Sequence, residues 1–170
     1  VDIQVANAGI AGPDTPAEKM TDKAWQRVLD INLNGVFWSC RAFGKRMVER
    51  QQGAIVTVGS TSGFISNKPQ KQVNYNSSKA AVHHLTRSLA GEWADRGVRV
   101  NSVAPTYVNT PMSNITAKDS QYFDVWMQGT TMRRMIKPEE VAAAILFLAS
   151  PAASAITGAI LPVDAGYTIW

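Results

Sequence analysis

The run Ala54-Ile55-Val56-Thr57-Val58, answered further along by Val98-Arg99-Val100-Asn101-Ser102-Val103-Ala104, decides the fold. Both segments are brief and valine-rich, without clean apolar–polar alternation, which is how strands covered on both faces read. Working outward, 1–6 and 160–163 have the same character, and helical patterns fill the intervals over about 22–50, 74–95 and 138–149. Strict alternation of strand and helix predicts an α/β domain, a doubly wound parallel sheet with right-handed crossovers.

The first helical stretch repeats Trp25, Leu29, Asn32, Val36, Cys40, Phe43 and Met47 at steps of three and four, a stripe expected to face the sheet. Asn32 is the amide on that stripe. A buried amide costs free energy unless hydrogen-bonded, so it has a structural partner or a task. The second helix places Ser78, Val82, Leu85, Leu89 and Trp93 on one stripe, and its small residues Ser77, Ser78, Ala80, Ala81 and Ala90 permit close approach of another backbone. The third opens on Lys137-Pro138-Glu139-Glu140, with proline in the first turn and acids at the positive helix end. Ser150-Pro151 closes it.

A chain of 170 residues, 45% hydrophobic and 18% charged, buries a substantial single core and excludes a disordered protein. No apolar run approaches the ~18 residues of a membrane span, and 1–5 lacks the regions of a signal peptide. Cys40 is the single cysteine, which rules out an intrachain disulfide and favours a cytoplasmic location. The net charge of +4 is dispersed; its densest group, Arg41, Lys45, Arg46 and Arg50, reads as a solvated helix face rather than a nucleic-acid patch. His83 and His84 are adjacent and follow no metal-ligand spacing, so no metal is expected and both are read as packing or solvent-facing residues. The chain opens directly on an apolar strand with nothing before it to pair or cover it, and the expectation is that 1–170 forms the C-terminal two-thirds of one longer domain.

Chemistry enters with Tyr75-Asn76-Ser77-Ser78-Lys79, which puts a phenol and an ammonium on one helix face. A tyrosine of ordinary pKa, about 10, is a poor acid or base at neutral pH, and a nearby cation is expected to lower that value.

Taken in order, Asn7-Ala8-Gly9, Asn32, Gly59-Ser60, Tyr75-x-x-x-Lys79 and Pro105-x-x-x-Asn109-Thr110 resemble the short-chain dehydrogenase/reductases, nearly end to end. The resemblance implies a Rossmann-like sheet and hydride transfer between a nicotinamide and a secondary alcohol or ketone. It casts Asn32, Ser60, Tyr75 and Lys79 as catalytic: Ser60 holds the substrate oxygen, Tyr75 exchanges its proton, and Asn32 with a bound water links Lys79 to solvent. Ser62 is the alternative to Ser60, two residues on. Asn7, Ala8, Gly9, Tyr75, Lys79, Pro105, Val108 and Thr110 are the implied cofactor contacts, for NAD or NADP with NAD favoured. The glycine-rich pyrophosphate turn and the residue separating the two cofactors do not occur in this sequence. Thr106 stands where relatives have glycine, and a positive φ there would strain a β-branched residue.

Within the family the likeness is to polyol and sugar-alcohol (galactitol-type) dehydrogenases. Ser60, Ser62, Asn67, Tyr75 and Tyr107 are the implied substrate contacts, with Gln70, Gln72 and Asn109 as further polar loop residues for substrate hydroxyls. A lid is expected over about 111–136, including Met112, Tyr122, Phe123, Trp126, Met127 and Met132. Family habit implies a homotetramer built through the two long helices and the last strand. A 3-oxoacyl-thioester reductase is the rival activity, and a non-catalytic binding protein on the same fold the rival class.

Overall fold

The structure, a computed structural model, describes residues 1–113 and 120–170. Its strands β1 (Ile3–Ala6), β2 (Gly53–Val58), β3 (Val98–Pro105) and β4 (Ile160–Val163) lie side by side in that order, each pair parallel. Parallel neighbours need crossovers, and helices supply them. Helix α1 (Asp22–Leu29) runs through a π-turn (Asp30–Asn34) into α2 (Gly35–Arg50), and α3 (Val73–Trp93) joins β2 to β3. Helices α4 (Ser120–Gly129) and α5 (Pro138–Ala149) lie between β3 and β4.

Residues of β2 and β3 bury branched side chains on both faces. Ile55, Val98 and Val100 pack with Val36, Cys40, Met47, Val82 and Leu89 of α2 and α3. Val56 and Val103 face the other way, into Leu148 and Ala149 of α5. Two-sided cover is why these strands show no alternation, and it makes the sheet doubly wound as expected. Strand β1 differs: Gln4 and Ala6 are buried, whereas Ile3 and Val5 are 50% and 42% exposed on the other face.

Helix α5 begins as its sequence implies, with Pro138 in the first turn and Glu140 accepting the Lys137 amide at 2.8 Å. At its far end Arg99 of β3 donates to the carbonyls of Leu148, Ala149 and Ser150. A cation at the negative helix end, held by the sheet, fixes the angle of α5.

Two sequence expectations need correction. The inward stripe of α1–α2 is Val28, Asn32, Val36, Cys40, Gly44 and Met47, and Phe43 is 40% exposed. Gly44 takes the inward position because the Trp93 ring lies against it; a Cβ there would sit 2.5 Å from the indole. Residues Ser120–Gly129 form a helix that the sequence pattern did not single out, and 114–119 of the expected lid lie outside the described residues. Among the described residues, no helix is long and apolar enough to cross a membrane, and no three His, Cys, Asp or Glu side chains are grouped to hold a metal.

Candidate active site

Strands β1, β2 and β3 end side by side at Ala6, Val58 and Pro105, and the loops leaving them carry the polar residues singled out above. Helix α3 turns Tyr75, Lys79 and His83, at steps of four, toward the end of β2. Lys79 is 4% exposed, and its Nζ donates to the Val58 carbonyl at 2.8 Å. Burial disfavours the ammonium and pulls its pKa from 10.5 to about 8.

The Tyr75 phenol and the Ser60 hydroxyl border the same two cavities, and Ser60 acts to lower the Tyr75 pKa. Ser60 Oγ also accepts the Ser62 amide at 3.1 Å, whereas Ser62 Oγ accepts from Gln72 Nε2 at 3.4 Å. Of the two serines, Ser60 is the one that borders both cavities with Tyr75 and acts on its pKa. The expected acidification of Tyr75 does not hold. Burial raises its pKa above the ordinary value, and Ser60 pulls it back in part. Lys79 Nζ bonds the Val58 carbonyl and lies 5.7 Å from the centroid of the Tyr75 ring, so its charge is not spent on the phenolic oxygen.

Asn32 is fully buried, and three hydrogen bonds explain an amide on an apolar stripe. Its Oδ1 accepts the Ile10 amide at 2.8 Å, while Nδ2 donates to the Ile10 carbonyl at 3.0 Å and to Ser78 Oγ at 3.2 Å. Ser78 Oγ in turn donates to the Tyr75 carbonyl at 2.7 Å. The amide therefore ties the loop after β1 to the backbone that carries the phenol. The π-turn around it widens the helix by one residue per turn, a feature frequent at functional sites. Spacing places Ser78 on the inward stripe of α3 but does not show its role in this set, which depends on Asn32 and the Tyr75 carbonyl.

Two cavities meet at Ser60, Tyr75 and Thr106. The one of about 640 Å³ is lined by all eight residues expected to contact a dinucleotide: Asn7, Ala8, Gly9, Tyr75, Lys79, Pro105, Val108 and Thr110. A Cβ on Gly9 would lie 3.6 Å from Lys79 Nζ and 3.3 Å from Asn32 Oδ1, so its absence keeps the approach to the ammonium open. This donor set and this opening fit the ribose and nicotinamide half of a dinucleotide.

The second cavity, about 190 Å³, is lined by Ser60, Ser62, Asn67, Tyr75 and Tyr107, together with Gln70, Gln72, Met112 and Trp126. Tyr107 organises its wall. Its ring stacks on Trp126 at 4.0 Å, and its hydroxyl accepts from Asn67 Nδ2 and Gln70 Nε2 at 3.3 and 3.4 Å. Asn109 is exposed and lines neither cavity, because its amide is held by the Ile136 carbonyl at 2.9 Å on the outer side of the loop. Thr106 lines both cavities and keeps a negative φ, so the strain expected of a β-branched residue there does not arise.

Known proteins resemble this chain in sequence and fold. The family model described as enoyl-(acyl carrier protein) reductase matches residues 1–168. Galactitol 2-dehydrogenase of Rhizobium johnstonii is 58% identical over 99% of this chain, which spans 65% of that protein's length. The L-tagatose-forming galactitol 2-dehydrogenase of Cereibacter sphaeroides is 53% identical over the whole chain, which spans 66% of it. Among solved structures, gox2181 superposes with a TM-score of 0.99 at 53% identity, over 100% of this chain and 66% of its own. A putative NAD(P)-dependent gluconate 5-dehydrogenase of Beutenbergia cavernae, with bound NADP, does so at 0.92 and 38% identity, over 98% of this chain and 66% of its own. By its parallel sheet, its ordered motifs and these relatives, the chain belongs to the short-chain dehydrogenase/reductase family.

Proposed function

We propose that the intact protein is an NAD(P)-dependent dehydrogenase that oxidises a secondary hydroxyl of a polyol, a hexitol such as galactitol, to a ketone. The carrying observation is the Ser60–Tyr75 pair at the wall shared by two cavities, with the Lys79 ammonium buried behind it. The polar lining of the smaller cavity suits a substrate with several hydroxyls, since a site built to pair with them rejects analogues that lack them.

In this reading Asn7, Ala8, Gly9, Lys79, Pro105, Val108 and Thr110 hold the dinucleotide, which their common lining of the larger cavity supports. When bound, nicotinamide supplies the acceptor or donor of hydride. Ser60 and Tyr75 hold the substrate oxygen by two hydrogen bonds. Tyr75 takes the hydroxyl proton during oxidation and returns it during reduction. Lys79 holds positive charge under the site, and Asn32 fixes the segment from which Tyr75 projects. The roles of Asn67 and Tyr107 are to orient the rest of the polyol. Exposed apolar side chains on α2 (Phe37, Trp38, Phe43) and α5 (Leu146, Phe147) support a homotetramer formed through helix faces.

The test is a paired assay on the intact protein. Hexitols are offered with NAD or NADP, and formation of reduced dinucleotide is followed; acetoacetyl thioesters are offered with the reduced cofactors. The expected result is hexitol turnover at about 1–100 s⁻¹, with NAD preferred. Faster thioester reduction would shift the assignment to a 3-oxoacyl reductase. Failure of both, together with weak dinucleotide binding, would leave a binding protein on this fold.

A further inference from the structure

His83 takes no part in the chemistry above, yet it is 3% exposed and set directly beneath the serine loop. Its Nε2 accepts the backbone amide of Ser60 at 3.4 Å. Accepting requires an unprotonated Nε2, so the ring is neutral with its proton on Nδ1. Burial, with the positive charges of Arg87 and Lys79 nearby, keeps it neutral by pulling its pKa down to about 4.

The loop is moulded around this ring. A Cβ on Gly59 would lie 2.4 Å from His83 Nε2, and one on Gly63 would lie 2.5 Å from Cε1. Neither glycine has a positive φ, so the space taken by the imidazole, not backbone conformation, accounts for both. The Phe64 ring closes the remaining side, 4.6 Å from the imidazole centroid. One turn earlier on α3, Lys79 Nζ holds the Val58 carbonyl, and between the two contacts the Gly59 amide donates to Val103 at 2.8 Å. Ser60 is thus gripped on its own amide and through the Val58–Gly59 peptide just before it.

We propose that His83 is a positioning residue, clamping the Ser60 backbone so that the serine hydroxyl meets Tyr75 and the substrate oxygen. The inference rests on the dehydrogenase reading for its kinetic consequence, but the clamp itself is testable without turnover. Removing the acceptor leaves a buried amide unpaired and lets the loop drift. His83→Leu is therefore expected to lower kcat about tenfold, with the KM for dinucleotide unchanged within about twofold. Because a displaced Ser60 no longer stabilises the Tyr75 phenolate, the alkaline limb of the pH profile should also move to higher pH. His83→Gln, which can place an oxygen near the Nε2 position, should recover most of the loss.

Two further readings decide the matter. In a Ser60→Ala background, His83→Leu should cost nothing more, because the loss runs through Ser60. In the unaltered protein, nitrogen NMR of the imidazole should report a neutral ring with Nε2 unprotonated at pH 6, and this holds whether or not any substrate turns over. A further tenfold loss in the Ser60→Ala background, or an Nε2–H tautomer at pH 6, would overturn the clamp. Absence of turnover with the unprotonated Nε2 intact would count against the dehydrogenase reading alone.

Discussion

Tyr75→Phe in the intact protein is expected to reduce polyol oxidation about a thousandfold while leaving the fold in place, since positioned general acid–base groups contribute roughly 10²–10⁴. The change removes one oxygen and keeps the ring, so the packing of α3 against the end of β2 is preserved. What disappears is the group that exchanges the substrate proton and one of the two hydrogen bonds holding the substrate oxygen. Melting temperature and KM for dinucleotide should change little, and the loss should fall on kcat. The direction of the Tyr75 pKa adds a pH signature. Burial holds it above the ordinary value, so the phenol is protonated at neutral pH. As an acid it is ready for ketone reduction, whereas as a base it must first lose its proton. Oxidation should therefore climb with pH through the alkaline range and reduction should decline. A stopped assay in both directions, with and without the substitution, measures each arm.

Lys79→Met should lower kcat/KM about a hundredfold or more and yet leave the apoprotein at least as stable at pH 7. The reasons are separate. Activity falls because the buried charge under the site and the donor beside Gly9 are lost. Stability holds because that charge is expensive to bury, and functional sites commonly keep such groups at a stability cost. The folded pKa is about 8 against an ordinary 10.5. Between those values the unfolded chain binds a proton that the folded chain does not, so wild-type stability should rise with pH across that window. The rise is on the order of 3 kcal/mol as an upper bound, and it should be absent in Lys79→Met. Denaturant unfolding at pH 7.5 and pH 10 on both proteins checks the sign; a wild-type stability that falls over this interval for reasons specific to Lys79 would contradict it.

Much of this was legible in the residues because the physics is local or strongly patterned. Val-rich runs without alternation announce strands covered on both faces, and Pro138 with two following acids announces a helix start. The ordered motifs located the residues that line the two cavities. What escaped reading depends on partners distant in the chain. Nothing around 30–34 marks a π-turn, because the extra residue per turn is a backbone adjustment without a composition. Asn32 stood out as an anomaly, but its partners Ile10 and Ser78 are known only once β1 and α3 are packed. Spacing puts Phe43 on the inward stripe, whereas the inward position belongs to Gly44, whose lack of a side chain is what admits Trp93. The same blindness hid His83. Its position gives only a packing or solvent-facing residue, because the space that Gly59 and Gly63 leave for an imidazole appears only once α3 packs on the end of β2. The sign of the Tyr75 shift is not readable from spacing, which locates Lys79 near the phenol, while burial and the direction of the Nζ hydrogen bond set the energy.

The most direct test follows the hydrogen itself. Galactitol deuterated at the carbinol carbon is incubated with the intact protein and NAD or NADP, and the dinucleotide is then examined by mass and by proton NMR. The account requires one deuterium to arrive at the nicotinamide ring in step with ketose formation, and the transfer to vanish in Tyr75→Phe. Deuterium left wholly on the polyol or released to water, or label transfer that persists undiminished without the Tyr75 hydroxyl, would contradict it.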